Sequence, residues 1–278
     1  MSNYFFLLKG GSRSRSLAEA SQRGLSRVGE GLMTDRSWNG KSYWPVVMGY
    51  SWMFCHGAFL AHEAKGRKYV YMDLGYWKRR PPGHRWTGYH KLSINGFHPT
   101  EYFQRSNPDD RFRKMGVKMQ PWQTRGKKIV VIGMSVKAAY VAKLGFEEWE
   151  KNIINQIKKV TDRDIIYRAK PNSLEAKPIE GTKFSQTEAI ERVFDSAHCV
   201  VTHHSNAAVD ALAYGVPVYC EQGVGSVMSM KSIRAIENPY YPEDRYQFLS
   251  DVAYCQWNVD EIKSGRPWRY FKDQGLLP

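Results

Sequence analysis

The sequence lacks the features that mark several large classes of protein. It has four cysteines among 278 residues, and no two of them form a Cys-x-x-Cys pair. This scarcity excludes a disulfide-rich scaffold and a zinc ribbon, and it favours reduced thiols. No apolar run approaches the ~20 residues needed to span a bilayer. The absence of a repeat period, together with 14% aromatic residues, excludes collagen-like, low-complexity and disordered chains.

A targeting segment is not predicted either. The N-terminal residues form one short apolar stretch, with no charged leader before it and no small-residue cleavage site after it. A secretory signal peptide would have both features. We therefore expect a soluble, cytoplasmic protein that makes no use of a membrane.

Positive charge is what the sequence has in excess. Subtracting the 27 Asp and Glu residues from the 41 Lys and Arg residues gives a net charge of +14. A charge of this size predicts attraction to polyanions, although it says nothing about the fold. The length allows one large domain or two domains of about 130 residues, each able to bury its own core.

The second half of the chain alternates between predicted strands and helices. Short β-branched runs predict strands at residues 129–132, 164–167, 199–202 and 216–220. Apolar residues at helical spacing predict helices at residues 146–159, 187–196 and 206–214. Alternation with short connections is typical of a parallel α/β sheet.

The first half repeats this rhythm less regularly. Strands are predicted at residues 4–8, 45–50 and 69–72, and helices at residues 17–28 and 57–65. Between residues 77 and 122 the periodicity fails, which predicts long functional loops. A composition shift near residue 125 predicts domains at 1–125 and 126–245, followed by a helical tail at 246–278. The predicted fold class is α/β, with two Rossmann-like domains facing a cleft and C-terminal helices.

One segment of the second half has the sequence of a strand that leads into a helix. Ser205 and Asn206 stand at the start of this helix, and Asp210 follows one turn later. Helix N-termini carry unpaired N–H groups and a partial positive charge, so they bind phosphate readily. Ser205 and Asn206 also suit N-capping, and a well-capped helix without a ligand is the alternative.

The stretch from Ser205 to Val218 reads Ser-Asn-x-x-x-Asp-Ala-Leu-x-x-Gly-Val-Pro-Val. This pattern resembles the donor-binding segment of GT-B-fold glycosyltransferases, including the capsule and lipopolysaccharide types. The resemblance implies that Ser205 and Asn206 bind the diphosphate of a nucleotide-sugar, with UDP as the expected nucleotide. It also implies that Asp210 binds the ribose, although these enzymes more usually have the longer Glu at this position.

Two further stretches are similar to the same family. Arg168 and Lys170 lie in a basic-x-basic-Pro pattern at a strand end, and Ser135 follows the first strand of this half. The resemblance implies that all three meet the donor diphosphate, to which Arg and Lys make strong charge-assisted hydrogen bonds. Because such groups stabilise the leaving diphosphate, no metal or other cofactor is required in principle. A solvated strand end is the alternative for Arg168 and Lys170.

The first half would bind the acceptor in such an enzyme. Asp73 stands at the end of a predicted strand, where open α/β sheets place their ligand crevices. An inverting transferase needs one carboxylate to take the proton of the acceptor hydroxyl. We predict Asp73 as this base and His56 as the competing candidate. The alternatives are an Asp that caps the turn before Gly75 and a loop histidine with satisfied hydrogen bonds.

Basic and aromatic residues are concentrated next to Asp73. The residues predicted to bind DNA are Lys78, Arg79, Arg80, Arg85 and Trp86. The surrounding region adds further rings and cations, namely Tyr76, Trp77, His84, Tyr89, His90, Lys91, Phe97, His98, Tyr102, Phe103, Arg111, Arg113 and Lys114. Arg13 and Arg15, in a predicted Gly/Ser loop, could add to it. Cations neutralise phosphates while rings stack on bases or wedge into a duplex, so we predict a polyanion-facing surface.

A basic surface beside a GT-B-like donor half resembles the phage enzymes that glycosylate hydroxymethylated pyrimidines in DNA. Those enzymes must extrude the target base, which gives inserted loops and aromatic wedges a purpose. The resemblance implies double-stranded DNA as the acceptor and the host cytoplasm as the location, and we expect a monomer. A glycan or lipid-linked acceptor is one alternative. A non-catalytic nucleic-acid-binding protein on the same scaffold is the other.

The neighbouring histidines His203 and His204 do not predict a metal site. Adjacent residues of a strand point to opposite faces of its sheet, so the two imidazoles would not share one ion. No second cluster of ligands in the sequence supports zinc.

Overall fold

The computed structural model describes residues 3–38, 44–80, 87–103 and 106–278. The chain divides into two compact units. Unit 1 comprises residues 1–111 and 250–278, and unit 2 comprises residues 112–249. The division therefore lies before the predicted boundary at 125/126, and most of the predicted helical tail is a part of unit 1.

The described residues form eleven strands and ten α-helices, numbered along the chain. The strands are β1 (Tyr4–Leu7), β2 (Leu32–Asp35), β3 (Val46–Tyr50), β4 (Lys68–Leu74), β5 (His90–Ile94), β6 (Lys128–Ile132), β7 (Ile165–Arg168), β8 (Lys183–Ser185), β9 (Ala197–Thr202), β10 (Val218–Cys220) and β11 (Gln256–Trp257). The helices are α1 (Ser12–Ser26), α2 (Trp52–Glu63), α3 (Asp110–Met115), α4 (Val136–Val141), α5 (Glu148–Ile157), α6 (Ile190–Phe194), α7 (Ala207–Tyr214), α8 (Arg245–Ala253), α9 (Val259–Lys263) and α10 (Arg266–Asp273). Short 3-10 helices cover Val224–Met228 and Ile233–Ala235.

The sheet of unit 1 has the order β11-β5-β4-β3-β1-β2. Strands β2, β1, β3 and β4 run parallel, whereas β5 is antiparallel to β4. Strand β5 lies inside the region that we predicted to be loops, and so does helix α3. His90 and Lys91 hide the apolar pattern of β5, because both are buried despite their polarity.

The sheet of unit 2 has the order β10-β9-β6-β7-β8, and all its strands are parallel. The predicted strands of this half are confirmed, and the three-residue β8 is an addition. From β6 the chain proceeds to β7 and β8 on one side and then returns to β9 and β10 on the other. This order makes the β6/β9 boundary the topological switch point, outside which open α/β sheets bind ligands.

The C-terminal segment belongs to unit 1 because it completes the sheet and the helical layer of that unit. Strand β11 is a short strand within the segment that we predicted as a helix, and it pairs antiparallel with β5. Helix α9 packs closely on α1, where a Cβ on Gly24 would lie 1.9 Å from the Ile262 carbonyl oxygen. Arg111 forms a buried 2.9 Å ion pair with Glu261, and its guanidinium lies 3.9 Å from the centre of the Trp257 ring.

Eight of the residues that we assigned to a DNA-facing surface are instead buried in unit 1. Buried members of that set are Tyr76, Trp77, Tyr89, His90, Lys91, Tyr102, Phe103 and Arg111. The backbone N–H groups of Tyr76 and Trp77 donate to the Gln256 side-chain oxygen at 2.6 and 3.0 Å. The prediction of a DNA-facing surface is wrong for these residues, since their side chains are buried.

None of the helices in the described part of the chain is long and apolar enough to cross a membrane.

Candidate functional site

Three strands of unit 2 end side by side at one edge of the sheet. In the register, Ile132 of β6 is the neighbour of both Arg168 of β7 and Thr202 of β9. The residues that follow each strand therefore lie along the same edge. The structure brings together here Ser135, Lys170, Ser205 and Asn206, all of which we predicted as donor-binding residues.

Lys170 and Ser205 are in direct contact at this edge. The Lys170 ammonium donates to the Ser205 hydroxyl oxygen at 2.6 Å. The same oxygen accepts the Ala207 N–H at 3.2 Å, so the Ser205 hydroxyl satisfies the first N–H of helix α7, although the N-cap residue is Asn206, whose side chain makes no capping hydrogen bond. Capping has no need of a lysine, however. A cation fixed at a helix N-terminus adds its charge to the partial positive charge of the helix, which is the electrostatic arrangement that binds anions.

The loop after β6 is the second part of this edge. Ser135 is half-buried and caps helix α4, with its hydroxyl oxygen accepting the Ala138 N–H at 3.2 Å. Gly133 precedes it in a confined position, where a Cβ would lie 3.1 Å from the Tyr167 ring. The Met134 N–H donates to the Glu150 carboxylate at 2.5 Å, which fixes the loop above helix α5.

Glu150 is a buried acid that we did not predict. It is 1% exposed, and its second carboxylate oxygen has no hydrogen-bond partner in the described part of the chain. Burial raises the pKa of this carboxyl, and Glu147 raises it further, whereas the Met134 N–H and Lys170 act in the opposite direction. The sequence did contain one signal for this residue. Glu150 stands among the apolar residues of α5, and an acidic residue is rarely buried on a helix unless it is paired.

The Arg168 guanidinium is directed towards strand β8 and the turn that follows it. It is buried at the end of β7, and its guanidinium donates to the Ser185 hydroxyl at 3.0 Å and to the Glu188 carbonyl at 2.5 Å. Burial also lowers the pKa of Arg168. Two of its nitrogens therefore stabilise β8 and the turn that follows it, and its role at a phosphate stays a prediction.

Asp210 lies where we expected it, one turn inside α7 and half-buried. Its backbone N–H donates to the Asn206 carbonyl at 3.3 Å. Helix α7 ends at Gly215, whose φ of 84° is the left-handed conformation that favours glycine. The role of Asp210 at a ribose stays a prediction.

His203 and His204 are in contact with each other, which corrects our expectation. Strand β9 ends at Thr202, so the two histidines lie in a bend and the two-face rule of a strand does not apply. Their Nδ1 atoms are 2.5 Å apart, and His203 Nε2 lies 3.8 Å from a Glu221 carboxylate oxygen. Burial lowers the pKa of His203, although Glu221 opposes this shift. No group of three or more metal-ligating side chains occurs in the described ranges.

In unit 1, the candidate base Asp73 is inside strand β4 and not beyond its end. It is half-buried, and its register partner on β5 is Lys91. The Tyr71 hydroxyl donates to one of its carboxylate oxygens at 2.9 Å, and the Leu74 N–H donates to the other at 2.9 Å. His56 lies in helix α2 and not in a loop, and its ring centre is 5.7 Å from that of Trp52.

The predicted DNA-binding residues are only partly described. Lys78 and Arg80 are exposed, and Arg79 is half-buried with its Nε–H donating to the Tyr76 carbonyl at 2.8 Å. Arg85 and Trp86 lie outside the described residues, as does His84.

Two shallow depressions lie at the opposite edge of the unit 2 sheet. Lys183 pairs with Asp164 at 2.7 Å in one of them, and Arg163 pairs with Glu237 at 2.9 Å in the other.

Two Rossmann-like sheets in one chain give the protein a GT-B-like fold. No family model and no curated protein matches the sequence.

Two solved structures of KpsC from Thermosulfurimonas dismutans are similar to this chain. The one named as a β-Kdo 2,4 transferase is 10% identical, with a TM-score of 0.54 over 95% of this chain and 98% of that chain. The one named as a β-Kdo 2,7 transferase is 13% identical, with a TM-score of 0.57 over 98% of this chain and 100% of that chain. At such identities the likeness shows the fold, and the predicted fold class is confirmed.

Proposed function

We propose that the protein is a glycosyltransferase that takes a sugar from a nucleotide-sugar, with UDP as the expected nucleotide. The observation that carries the proposal is the 2.6 Å contact between Lys170 and Ser205 at the switch point of the unit 2 sheet. An ammonium group and the N-terminus of α7 converge there, which is suited to a donor diphosphate. The GT-B fold supports the same donor class.

In this reaction the acceptor hydroxyl oxygen forms a bond to the anomeric carbon of the sugar. The bond from that carbon to the diphosphate oxygen breaks, and its electron pair leaves with the diphosphate. Asp73 takes the hydroxyl proton, and the Tyr71 hydroxyl at 2.9 Å orients its carboxylate. Lys170 and the N–H groups around Ser205 stabilise the charge that develops on the leaving group.

The acceptor that we propose is a hydroxymethylated pyrimidine in double-stranded DNA. The net charge of +14 and the exposed side chains of Lys78 and Arg80, a few residues beyond Asp73, support a polyanionic acceptor. The buried rings of unit 1 no longer support it. A glycan acceptor is the second candidate, and the fold shared with two Kdo transferases favours it.

The donor site is tested by nucleotide-sugar binding. Lys170→Met should weaken the affinity for the nucleotide-sugar about tenfold or more, because one charge-assisted contact to phosphate is lost. Lys183→Met is the matched control, since Lys183 is an exposed lysine of the same sheet at its other edge. Calorimetric titration with a panel of nucleotide-sugars measures both. Equal affinity in the two variants would contradict the assignment of Lys170.

The reaction is tested by transfer assays on two acceptors, hydroxymethylated DNA and a capsule-type oligosaccharide, with mass spectrometry of the products. Asp73→Asn should lower the transfer rate by about 10²–10⁴ while donor affinity is retained. Asp35→Asn is the control, because Asp35 also ends a parallel strand of the same sheet, β2, which lies at the far side of that sheet from β4. A mass gain on the nucleoside supports DNA as the acceptor, and a gain on the oligosaccharide alone moves the proposal to glycans.

A further inference from the structure

A lysine is buried on the same face of the unit 1 sheet as the candidate base. Lys91 is 2% exposed in strand β5, and its register partner on β4 is Asp73. Residues directly opposite each other in an antiparallel pair share one face of the sheet, with Cβ atoms about 4.5–5.5 Å apart. A positive and a negative side chain therefore start from neighbouring positions on this face.

The Lys91 ammonium is held by two residues that follow β5. It lies 3.3 Å from His98 Nδ1 and 5.2 Å from the centre of the Phe97 ring. The Phe97 ring stacks on that of Tyr71, with 5.4 Å between the ring centres, and the Tyr71 hydroxyl donates to the Asp73 carboxylate. The ammonium and the carboxylate are thus arranged around the same pair of stacked rings.

The contact with His98 brings no negative charge to the ammonium. An ammonium group can only donate, so His98 Nδ1 accepts the hydrogen bond and this imidazole is neutral, with its proton on Nε2. Gln256 of β11 is the register partner of Lys91 on its other side, and its amide is neutral too. The charge of Lys91 must therefore be balanced from another direction.

A buried ammonium requires a neighbouring anion, because burial of an unpaired charge is very costly. Two other buried acids of unit 1 have partners of their own. Asp251 accepts the backbone and side-chain N–H groups of Asn107 at 2.7 and 2.9 Å, and Glu261 forms its ion pair with Arg111. Asp73 is the acid that the sheet places beside this ammonium.

The titratable groups around Asp73 are otherwise neutral where their state is defined. They are Tyr71 on its own strand, Tyr50 on β3, His90 on β5, His98 after β5, and His56 on α2, which reaches Tyr71 through the ring of Trp52. Burial raises the pKa of Tyr71 and Asp73 raises it further, so its hydroxyl stays protonated and donates. Burial lowers the pKa of His90 to about 4, so this imidazole is neutral at pH 7.

Arg13 is a second cation in this region. We expected it in a loop, but helix α1 begins at Ser12, so Arg13 lies in the first turn. Its guanidinium donates to the Tyr50 hydroxyl at 2.6 Å, and its charge and that of Asp73 act in opposite directions on the pKa of His90. Arg13 is half-buried, so water can solvate it. The enclosed Lys91 depends more strongly on a counter-charge.

We infer that Lys91 is the counter-ion of Asp73, a positioning residue that keeps this carboxylate ionised and ready to take the proton of the acceptor hydroxyl. The inference rests on the proposed role of Asp73. In the reaction the proton passes from the hydroxyl oxygen to a carboxylate oxygen, and Lys91 stays protonated throughout. The pair extends activity to lower pH, because burial alone favours a protonated carboxyl whereas a neighbouring cation opposes this.

The pair is tested without a substrate, by carboxyl-carbon NMR of the intact protein during a pH titration. Lys91→Met should raise the titration midpoint of the Asp73 carboxyl by about 1–3 pH units, as expected when a neighbouring cation is removed. Lys68→Met is the matched control, because it removes the same charge from the other end of β4 and should leave the midpoint in place. Arg13→Gln removes the second cation and should move the midpoint less than Lys91→Met does.

The reverse experiment removes the acid and follows the lysine. The attraction between two charges changes both titrations by the same free energy, so Asp73→Asn should lower the midpoint of the Lys91 ammonium by the same number of pH units. Asparagine has the shape of aspartate, so this variant keeps the test available if Lys91→Met does not fold. Asp35→Asn is its control.

Four results would overturn the ion pair. They are an unchanged Asp73 midpoint in Lys91→Met, an equal shift in Lys68→Met, a larger shift in Arg13→Gln, and an unchanged Lys91 midpoint in Asp73→Asn.

Transfer assays then test the role of the pair in the reaction. The acid limb of the kcat/KM profile should move to higher pH in Lys91→Met by as much as the carboxyl midpoint does, and Lys91→Arg should restore the parent profile. A limb that stays in place would show that Lys91 does not act through Asp73. If the parent protein transfers no sugar to any acceptor, the proposed function and the role of Lys91 in it fail together, whereas the ion pair is decided by NMR alone.

Discussion

His90 is a buried histidine at the start of β5, 1% exposed. Its Nδ1 lies 2.9 Å from the Gly88 carbonyl oxygen, and its Nε2 reaches no partner among the residues that the structure describes. Burial lowers its pKa to about 4, Arg13 lowers it too, and Asp73 acts in the opposite direction. A proton on this ring is therefore unfavourable in the folded protein.

Acidification should destabilise unit 1 through His90. The folded-state pKa of about 4 lies below the ordinary value of 6.5, so stability is complete above pH 6.5 and is lost as the pH falls from 6.5 towards 4. The loss amounts to about 3 kcal/mol of unfolding free energy. Urea unfolding between pH 4 and pH 7 measures this slope.

The variant His90→Gln should flatten that slope. Part of it remains, because burial also lowers the pKa of His62 and of His203. If His90→Gln kept the full slope of the parent protein, the assignment to His90 would be wrong.

At the scale of elements, the contact between α1 and α9 depends on one glycine. A Cβ on Gly24 would lie 1.9 Å from the Ile262 carbonyl oxygen and 2.7 Å from the Trp268 ring nitrogen, so the two helices would have to move apart. Gly24→Ala should therefore lower the free energy of unfolding by about 1–3 kcal/mol, despite the higher helix propensity of alanine. Thermal unfolding followed by circular dichroism measures the change.

Gly57→Ala is the opposite case and serves as the control. Gly57 is in the middle of α2, and a Cβ there would meet nothing within 4 Å. Only the propensity gain applies, so this variant should be more stable by up to about 1 kcal/mol. Destabilisation by both substitutions, to a similar degree, would mean that helix contact is not what distinguishes Gly24.

Elements with a regular apolar pattern were predictable from the sequence, and those with polar residues inside were not. The β-branched run of β6 and the stripe of α5 lie where the periodicity indicated. The start of α1 was missed because Arg13 and Arg15 oppose the usual charge of a first turn. Strand β5 was missed because Lys91 and its neighbours are polar residues buried by tertiary packing.

The same distinction holds for the candidate site. Ser205 and Lys170 could be named in advance, since each directly follows a predictable strand and all parallel strands of a sheet end at one edge. Glu150 could not, because only the fold brings helix α5 beneath the loop after β6. The hydrogen bond from Arg168 to Ser185 could not be predicted either, since β8 is too short to give a periodic signal in the sequence.

At the scale of the whole molecule, unit 2 is inserted into unit 1. Unit 2 is one continuous segment, residues 112–249, whereas unit 1 needs residues from both sides of it. Sequence composition could not reveal this arrangement. A composition shift marks a change along the chain, and the return of residues 250–278 to the first sheet is a long-range contact.

The insertion predicts different behaviour of two fragments. Residues 112–249 expressed alone should give dispersed amide resonances and cooperative unfolding, because the whole of that parallel sheet is present. Residues 1–111 alone should not fold, because β11, α9 and the partner of the Arg111 charge are missing. Cooperative unfolding of the 1–111 fragment would show that the C-terminal segment is dispensable for unit 1.

The pairing of β11 with β5 has a consequence during synthesis. Residues 250–278 leave the ribosome only after the whole of unit 2 has been made. Until then the nascent chain presents an unpaired edge of β5 and an uncovered face of α1 around Gly24. Exposed strand edges attract other chains, so the nascent first half of this protein is open to aggregation until residues 250–278 emerge, whereas unit 2 is able to fold before then.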